Sequence, residues 1–107
     1  MILKNYLLEK QAYISQIVVM EVLSFVEYDD KKAAEIELFI KNNFKIVRIN
    51  KDASRLSAKI VRDRKRLTGK KLKLTDAIIA ATAINKGLGL LTNDREDFTH
   101  IEGLNLL

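Results

Sequence analysis

The sequence predicts an α/β fold in which a parallel sheet carries helices on both faces. Three observations predict it. Short β-rich runs alternate with helical apolar spacing along the chain. The stretch from Leu74 to Phe98, LTDAIIAATAINKGLGLLTNDREDF, reads as a buried helix entering an apolar strand that ends in an acidic turn. Finally, 48% of the 107 residues are apolar and no linker, repeat or low-complexity tract divides them, so residues 1–107 form one domain able to bury a core.

Each element follows from local pattern. Apolar residues at positions 2, 3, 6 and 7 have helical spacing and predict a helix over residues 2–10. Ala12–Val19 is rich in β-formers and predicts a strand. From Met20 the spacing of Val22, Leu23, Phe25 and Val26 turns helical, up to a charged break at Tyr28–Lys32. A further helix should bury Ala33, Ala34, Ile36, Phe39 and Ile40 and stop at Asn42-Asn43. Phe44–Ile49 alternates like a strand. Lys51 to Leu67 is amphipathic, with Ala53, Leu56, Ile60 and Leu67 on the core side, and Gly69 turns the chain. Thr75 is a suitable N-cap for the next helix, with Asp76 facing the positive end of its dipole. Gly87 suits a left-handed C-cap, and Gly89 allows close approach where the strand Leu88–Leu91 begins. Leu104–Leu107 predicts the last strand.

Composition narrows the chemistry. With no cysteine, disulfides, thiolate metal sites and a cysteine nucleophile are excluded. A single histidine, His100, argues against a His-rich zinc site or a Ser-His-Asp triad, and it reads as an exposed loop residue. No run of 18 apolar residues and no basic-then-apolar leader is present, so the chain is expected to be soluble and cytoplasmic, with no membrane partner. The formal charge of +5 favours a polyanionic partner.

Four acids fall where strands end or helices begin: Glu21, Asp76, Asp94 and Asp97. In a parallel sheet, the carboxyl ends of the strands share one edge, which places Glu21 and Asp94 together with Asp76 in reach. Carboxylates without His or Cys suit a hard cation, Mg²⁺ or Mn²⁺, able to lower the pKa of a bound water and stabilise charge on a phosphoryl oxygen. Glu21, Asp76 and Asp94 are the candidate ligands and catalytic groups. Asp97, Thr92 and Ser15 are candidate outer partners, the hydroxyls holding a water or a phosphate oxygen. Each acid also has a purely structural reading. Asp76 can simply complement a helix dipole, Glu21 can be a first-turn residue, Asn93 and Glu96 can form a capping box, and Asp97 can close the turn that Phe98 anchors.

Between Lys59 and Asp76 runs a basic segment. Arg62, Arg64, Lys65, Arg66, Lys70, Lys71 and Lys73 could hold a phosphate backbone beside the acids, or could form a solvated face. No aromatic residue is interleaved, so contacts to backbone rather than base stacking are expected.

YISQIVVMEVLSF, LTDAIIAATAI and LGLLTNDREDF resemble the corresponding segments of PIN domains, in particular VapC-type toxins of toxin–antitoxin pairs, over most of the chain. In that family the acid after the second strand matches Glu21, the acid opening the late helix matches Asp76, and the later acids match Asp94 and Asp97. The resemblance implies a three-layer α/β/α sandwich, Mg²⁺- or Mn²⁺-dependent endoribonuclease activity, dimerisation and inhibition by an antitoxin. Family members open with a mid-sheet strand ending in an Asp-Thr-Asn-like motif, whereas no aspartate precedes Asp29 here. The expectation is therefore an N-terminally truncated PIN-like chain lacking one metal ligand and one central strand. Three explanations stay open: a longer true protein, an inactive remnant that binds antitoxin or RNA, or a strand supplied by a partner. A phospho-receiver, prompted by Asp52 after a strand, lacks the acidic pair and the late lysine that such a fold needs.

Overall fold

The computed structural model describes residues 2–4, 12–26 and 29–107. Its elements, in chain order, are β1 (Ile2–Lys4), β2 (Ala12–Ser15), α1 (Gln16–Ser24), α2 (Asp30–Asn43) and β3 (Lys45–Val47), then α3 (Lys51–Thr68), α4 (Leu74–Lys86), β4 (Gly89–Leu91), α5 (Arg95–Phe98) and β5 (Asn105–Leu106).

The five strands form one sheet, ordered β3-β2-β1-β4-β5 and flanked by helices. The α/β class is the one expected, but the sheet is mixed rather than wholly parallel. β2 runs parallel to β3 and β4 parallel to β5, while β1 lies antiparallel to both β2 and β4. Leu3 pairs with Tyr13 on one side and Leu90 on the other, and it is fully buried. The helix expected over 2–10 is thus a strand at Ile2–Lys4, and its remaining residues lie outside those described. Three residues hold less than one helical turn, so pairing on both flanks decides their conformation, not spacing. The central place that the sequence reading left empty is filled by a strand running the opposite way.

The boundary between β2 and α1 also differs from expectation. Ser15 ends the strand and caps α1, its Oγ accepting from the Ile17 amide at 3.4 Å. The β-branched run Ile17, Val18 and Val19 continues as helix because that places Val18 and Val19 in the core. Tertiary burial outweighs a β propensity that spans only about 1 kcal/mol. In α2, Asp29 caps the start by accepting from Lys32 at 2.9 Å, so the helix begins inside the charged stretch read as a break. Of its expected inward residues Ile40 is buried and Ala33 and Ile36 are half-buried, whereas Ala34 is exposed and Phe39 is 60% exposed.

Asn50 starts α3, its Oδ1 accepting from Ala53 at 2.8 Å, and Gly69 ends it in the left-handed conformation. Ala53 and Ile60 are buried as expected, but Leu67 is 68% exposed. α3 packs along α4, the most buried helix, whose Ala77, Ile79, Ala80, Ala81, Thr82 and Ala83 face the core. Lys73, not Thr75, occupies the N-cap position of α4, without a side-chain cap. At the other end Gly87 has φ +65°, and its amide and that of Leu88 close the helix on Ala83 and Ile84. No atom would crowd a Cβ at Gly87, so Gly87→Ala tests backbone strain alone. It should cost about 1 kcal/mol and lower Tm by about 4–8 °C, measurable by thermal denaturation. An unchanged Tm would mean that the left-handed cap is not needed. At Gly89 a Cβ would lie 2.8 Å from Leu107 side-chain atoms, so that side chain would have to shift to admit one.

Candidate active site

The topology brings the acids to one edge of the sheet. α1 leaves the carboxyl end of β2 and carries Glu21, half-buried, on its second turn. α4 leads back into β4 through Gly87, so its first turn, with half-buried Asp76, lies near the end where β4 finishes. Beyond β4 the chain turns at Thr92, whose Oγ1 accepts from the Asp94 amide at 3.1 Å. Asp94 then takes the N-cap position of α5 with no side-chain cap bond, so the Asn93–Glu96 capping box is not what organises the turn. Asp94 and Asp97 are both exposed. Phe98, 2% exposed, pins the turn to the core.

The electrostatics of Asp76 register this gathering. Burial pushes its carboxyl above the ordinary value of 3.8, and the Asp97 carboxylate adds to the rise; Lys73 opposes it, and Glu21 and Asp94 add smaller contributions. Acids separated by more than 50 positions in the chain therefore act on one another. Carboxylate oxygens are the right donors for a hard cation. Among the described residues, however, no three Asp, Glu or His side chains lie close enough to share one metal ion. The middle of the edge belongs to Ile2, because β1 is reversed. Ile2 lies opposite Leu91 and lines a hollow of about 440 Å³ with Leu91, Thr92, Asn93 and Asp94.

The segment 2–104 matches the family model described as the PIN domain. The chain belongs to the PIN domain family. It is 35% identical over 104 residues to Ribonuclease VapC1 of Rickettsia felis, covering 91% of this chain and 75% of that protein. Among solved structures it resembles a toxin–antitoxin complex from Klebsiella pneumoniae, with 32% identity, a TM-score of 0.66, and coverage of 86% of this chain and 70% of that one. DNA-bound VapBC from Salmonella typhimurium superposes with a TM-score of 0.74 at 22% identity, over 88% of this chain and 72% of that one, a likeness of fold.

In this PIN domain the other candidates fall into distinct roles. Ser15 is completely buried and its hydroxyl caps α1, whereas Thr92 is half-buried at the acidic turn. The basic segment is only partly at liberty. Asp63 holds Lys59 at 2.6 Å and Arg66 at 3.5 Å, and the Lys59 hydrogen bond keeps the Asp63 carboxyl below its ordinary value. Arg64 donates from Nη2 to the backbone carbonyls of Asp97 at 3.0 Å and Thr99 at 2.8 Å. Arg62, Lys65, Lys70, Lys71 and Lys73 make no side-chain hydrogen bond or ion pair among the described residues and are exposed. Sequence reasoning grouped all seven candidate cations together. The partners of Arg64 lie 33 and 35 positions away, where no local pattern reaches.

Proposed function

We propose that this PIN domain is a VapC-like ribonuclease toxin that cleaves RNA phosphodiesters with Mg²⁺ or Mn²⁺, for which Glu21, Asp76 and Asp94 are the candidate ligands, at most two of them reaching one ion in the geometry seen here. The observation that carries the reading is the Asp76 carboxyl at the acidic sheet edge, raised chiefly by burial and next by Asp97, with smaller contributions from Glu21 and Asp94. The like-charge contributions are relieved by a cation, and perturbed carboxyls of this kind mark functional sites. When bound, the ion supplies an acidified water and charge stabilisation on the phosphoryl group. The protein's own residues do the rest. Asp97 and Thr92 orient the turn, and Ser15 fixes the start of the helix bearing Glu21. Arg62, Lys65, Lys70, Lys71 and Lys73 hold the RNA backbone, with affinity that falls as salt rises. An antitoxin partner is inferred from the kinship with toxin–antitoxin complexes. It and a second copy of the chain are candidates to cover exposed apolar residues such as Phe25, 82% exposed, and Leu38. No helix among the described residues is long and apolar enough to cross a membrane, and we place the protein's work in the cytoplasm.

Purified protein is expected to cleave labelled RNA only with added Mg²⁺ or Mn²⁺ and to stop on addition of EDTA. Cleavage that persists in EDTA would overturn the metal assignment. A second reading is favoured by Ile2 at the middle of the edge and by the absence, among the described residues, of three carboxylates at ligand spacing. In it, the chain is a catalytically impaired PIN domain that retains antitoxin or RNA binding. RNA left intact at every metal concentration, alongside antitoxin binding, would select this second reading.

A further inference from the structure

The geometry points to Arg64 as the positioning residue of the acidic turn, a clasp from α3 to α5 rather than a contact for RNA. α5 has only four residues and cannot hold itself as an isolated helix. Its last carbonyls lack partners within the helix, and the negative end of its dipole lies there. Arg64 meets both needs. One nitrogen, Nη2, donates to the carbonyls of Asp97 and Thr99, on either side of buried Phe98. A guanidinium Nη carries two N–H donors, one for each carbonyl. Asp94, a candidate ligand, occupies the N-cap position of this same short helix, so fixing the backbone at Asp97 and Thr99 fixes the turn that carries Asp94. The turn is thus held by Phe98 from the core and by Arg64 from α3, while Arg95 Nη1 at its start donates to the Leu107 carbonyl. The same donors are not available to a phosphate without releasing the turn.

This inference deepens the ribonuclease reading and rests on it for its consequence, while the clasp itself is measured independently. The full chain, Arg64→Gln, Arg64→Lys and Lys71→Ala are compared in three measurements. These are binding of a labelled single-stranded RNA across a salt series, Mn²⁺ affinity by electron paramagnetic resonance, and amide hydrogen exchange over residues 94–99. Arg64→Gln should leave the slope of log affinity against log salt unchanged, whereas Lys71→Ala lowers it by roughly 0.7, the loss of one phosphate contact on a single strand. Arg64→Gln should also weaken Mn²⁺ binding about 10-fold, the size of an outer-shell loss, and speed amide exchange in the turn. Arg64→Lys, with charge but a more hydrated point donor, should recover part of both. Should Arg64→Gln not fold, Arg64→Lys carries the same comparison. A slope lowered as in Lys71→Ala, with Mn²⁺ affinity and exchange unchanged, would overturn the proposal and make Arg64 a phosphate contact. If the unaltered chain binds neither RNA nor Mn²⁺, the ribonuclease reading fails. Exchange in the turn then decides the clasp by itself: faster in Arg64→Gln supports it, unchanged refutes it.

Discussion

Replacing Asp76 by Asn is expected to make the metal-free protein more stable while removing RNA cleavage. The folded state raises the Asp76 pKa above 3.8, chiefly through burial and next through Asp97. Between the ordinary and the raised value the native protein holds more protons than the unfolded chain, so this group's contribution to stability falls as pH rises through that window. Above the window, at neutral pH, the ionised carboxylate is a net burden on the fold. Asparagine keeps the shape and removes the charge. For a partly exposed group, solvent screening limits such a contact to roughly 0.2–1 kcal/mol. A rise in Tm of about 1–8 °C at neutral pH follows, shrinking as pH falls below the window. Activity should drop by more than about 100-fold, since even outer-shell losses typically cost about 10–100-fold. Added Mn²⁺ should raise the Tm of the original protein and leave that of Asp76→Asn unchanged. Thermal denaturation with and without EDTA, paired with a cleavage assay, reads all of this. A variant both less stable and fully active would remove Asp76 from the site.

Phe98→Ala is expected to produce the largest loss of stability. Phe98 is the largest fully buried side chain among the described residues. Truncation leaves a cavity and forfeits the buried area, about 3–5 kcal/mol together. Against a total of about 5–15 kcal/mol for a domain, this leaves little reserve, and Tm should fall by more than about 10 °C. Because Phe98 sits between the two carbonyls that Arg64 grips, the acidic turn should loosen before the rest of the chain unfolds. Urea titration gives the global cost, and amide exchange at residues 94–99 gives the local one. A cost below about 1 kcal/mol would mean that the turn is not anchored through this ring.

What the sequence made legible was whatever local chemistry decides. α4 could be read from its near-continuous apolar surface, and its end from Gly87, because only a left-handed position asks for glycine there. The β4 strand and the anchoring of Phe98 followed from the same stretch. The shared direction of β2 and β4, which puts the elements bearing Glu21 and Asp94 at one sheet edge, was legible in the sequence, whereas the spacing of the carboxylates there was not. The errors have a common cause. At Ile2–Lys4 the pairing partners lie 8 and more positions away, and their hydrogen bonds, not the spacing of apolar residues, set the conformation. At Gln16–Val19, a burial requirement from the whole fold overrode β-branched residues that favour strands. Thr75 looked like a cap because its type is right, but the cap position lies two residues earlier, at Lys73, and the helix begins at Leu74. The weight of Asp97 on Asp76 and the grip of Arg64 on the turn depend on packing between elements, which no window of sequence contains.

Within the sheet, among the described residues, two same-direction halves, β3-β2 and β4-β5, meet across the three residues of β1. That seam sets the spacing of the edge, since Glu21 belongs to the half that follows β2 and Asp94 to the half that follows β4. Slippage of Leu3 by one place would shear the halves and turn its side chain to the opposite face. The separation of two acids far down the chain is therefore governed by the grip of its first few residues, and a disturbance there reaches the site without touching it.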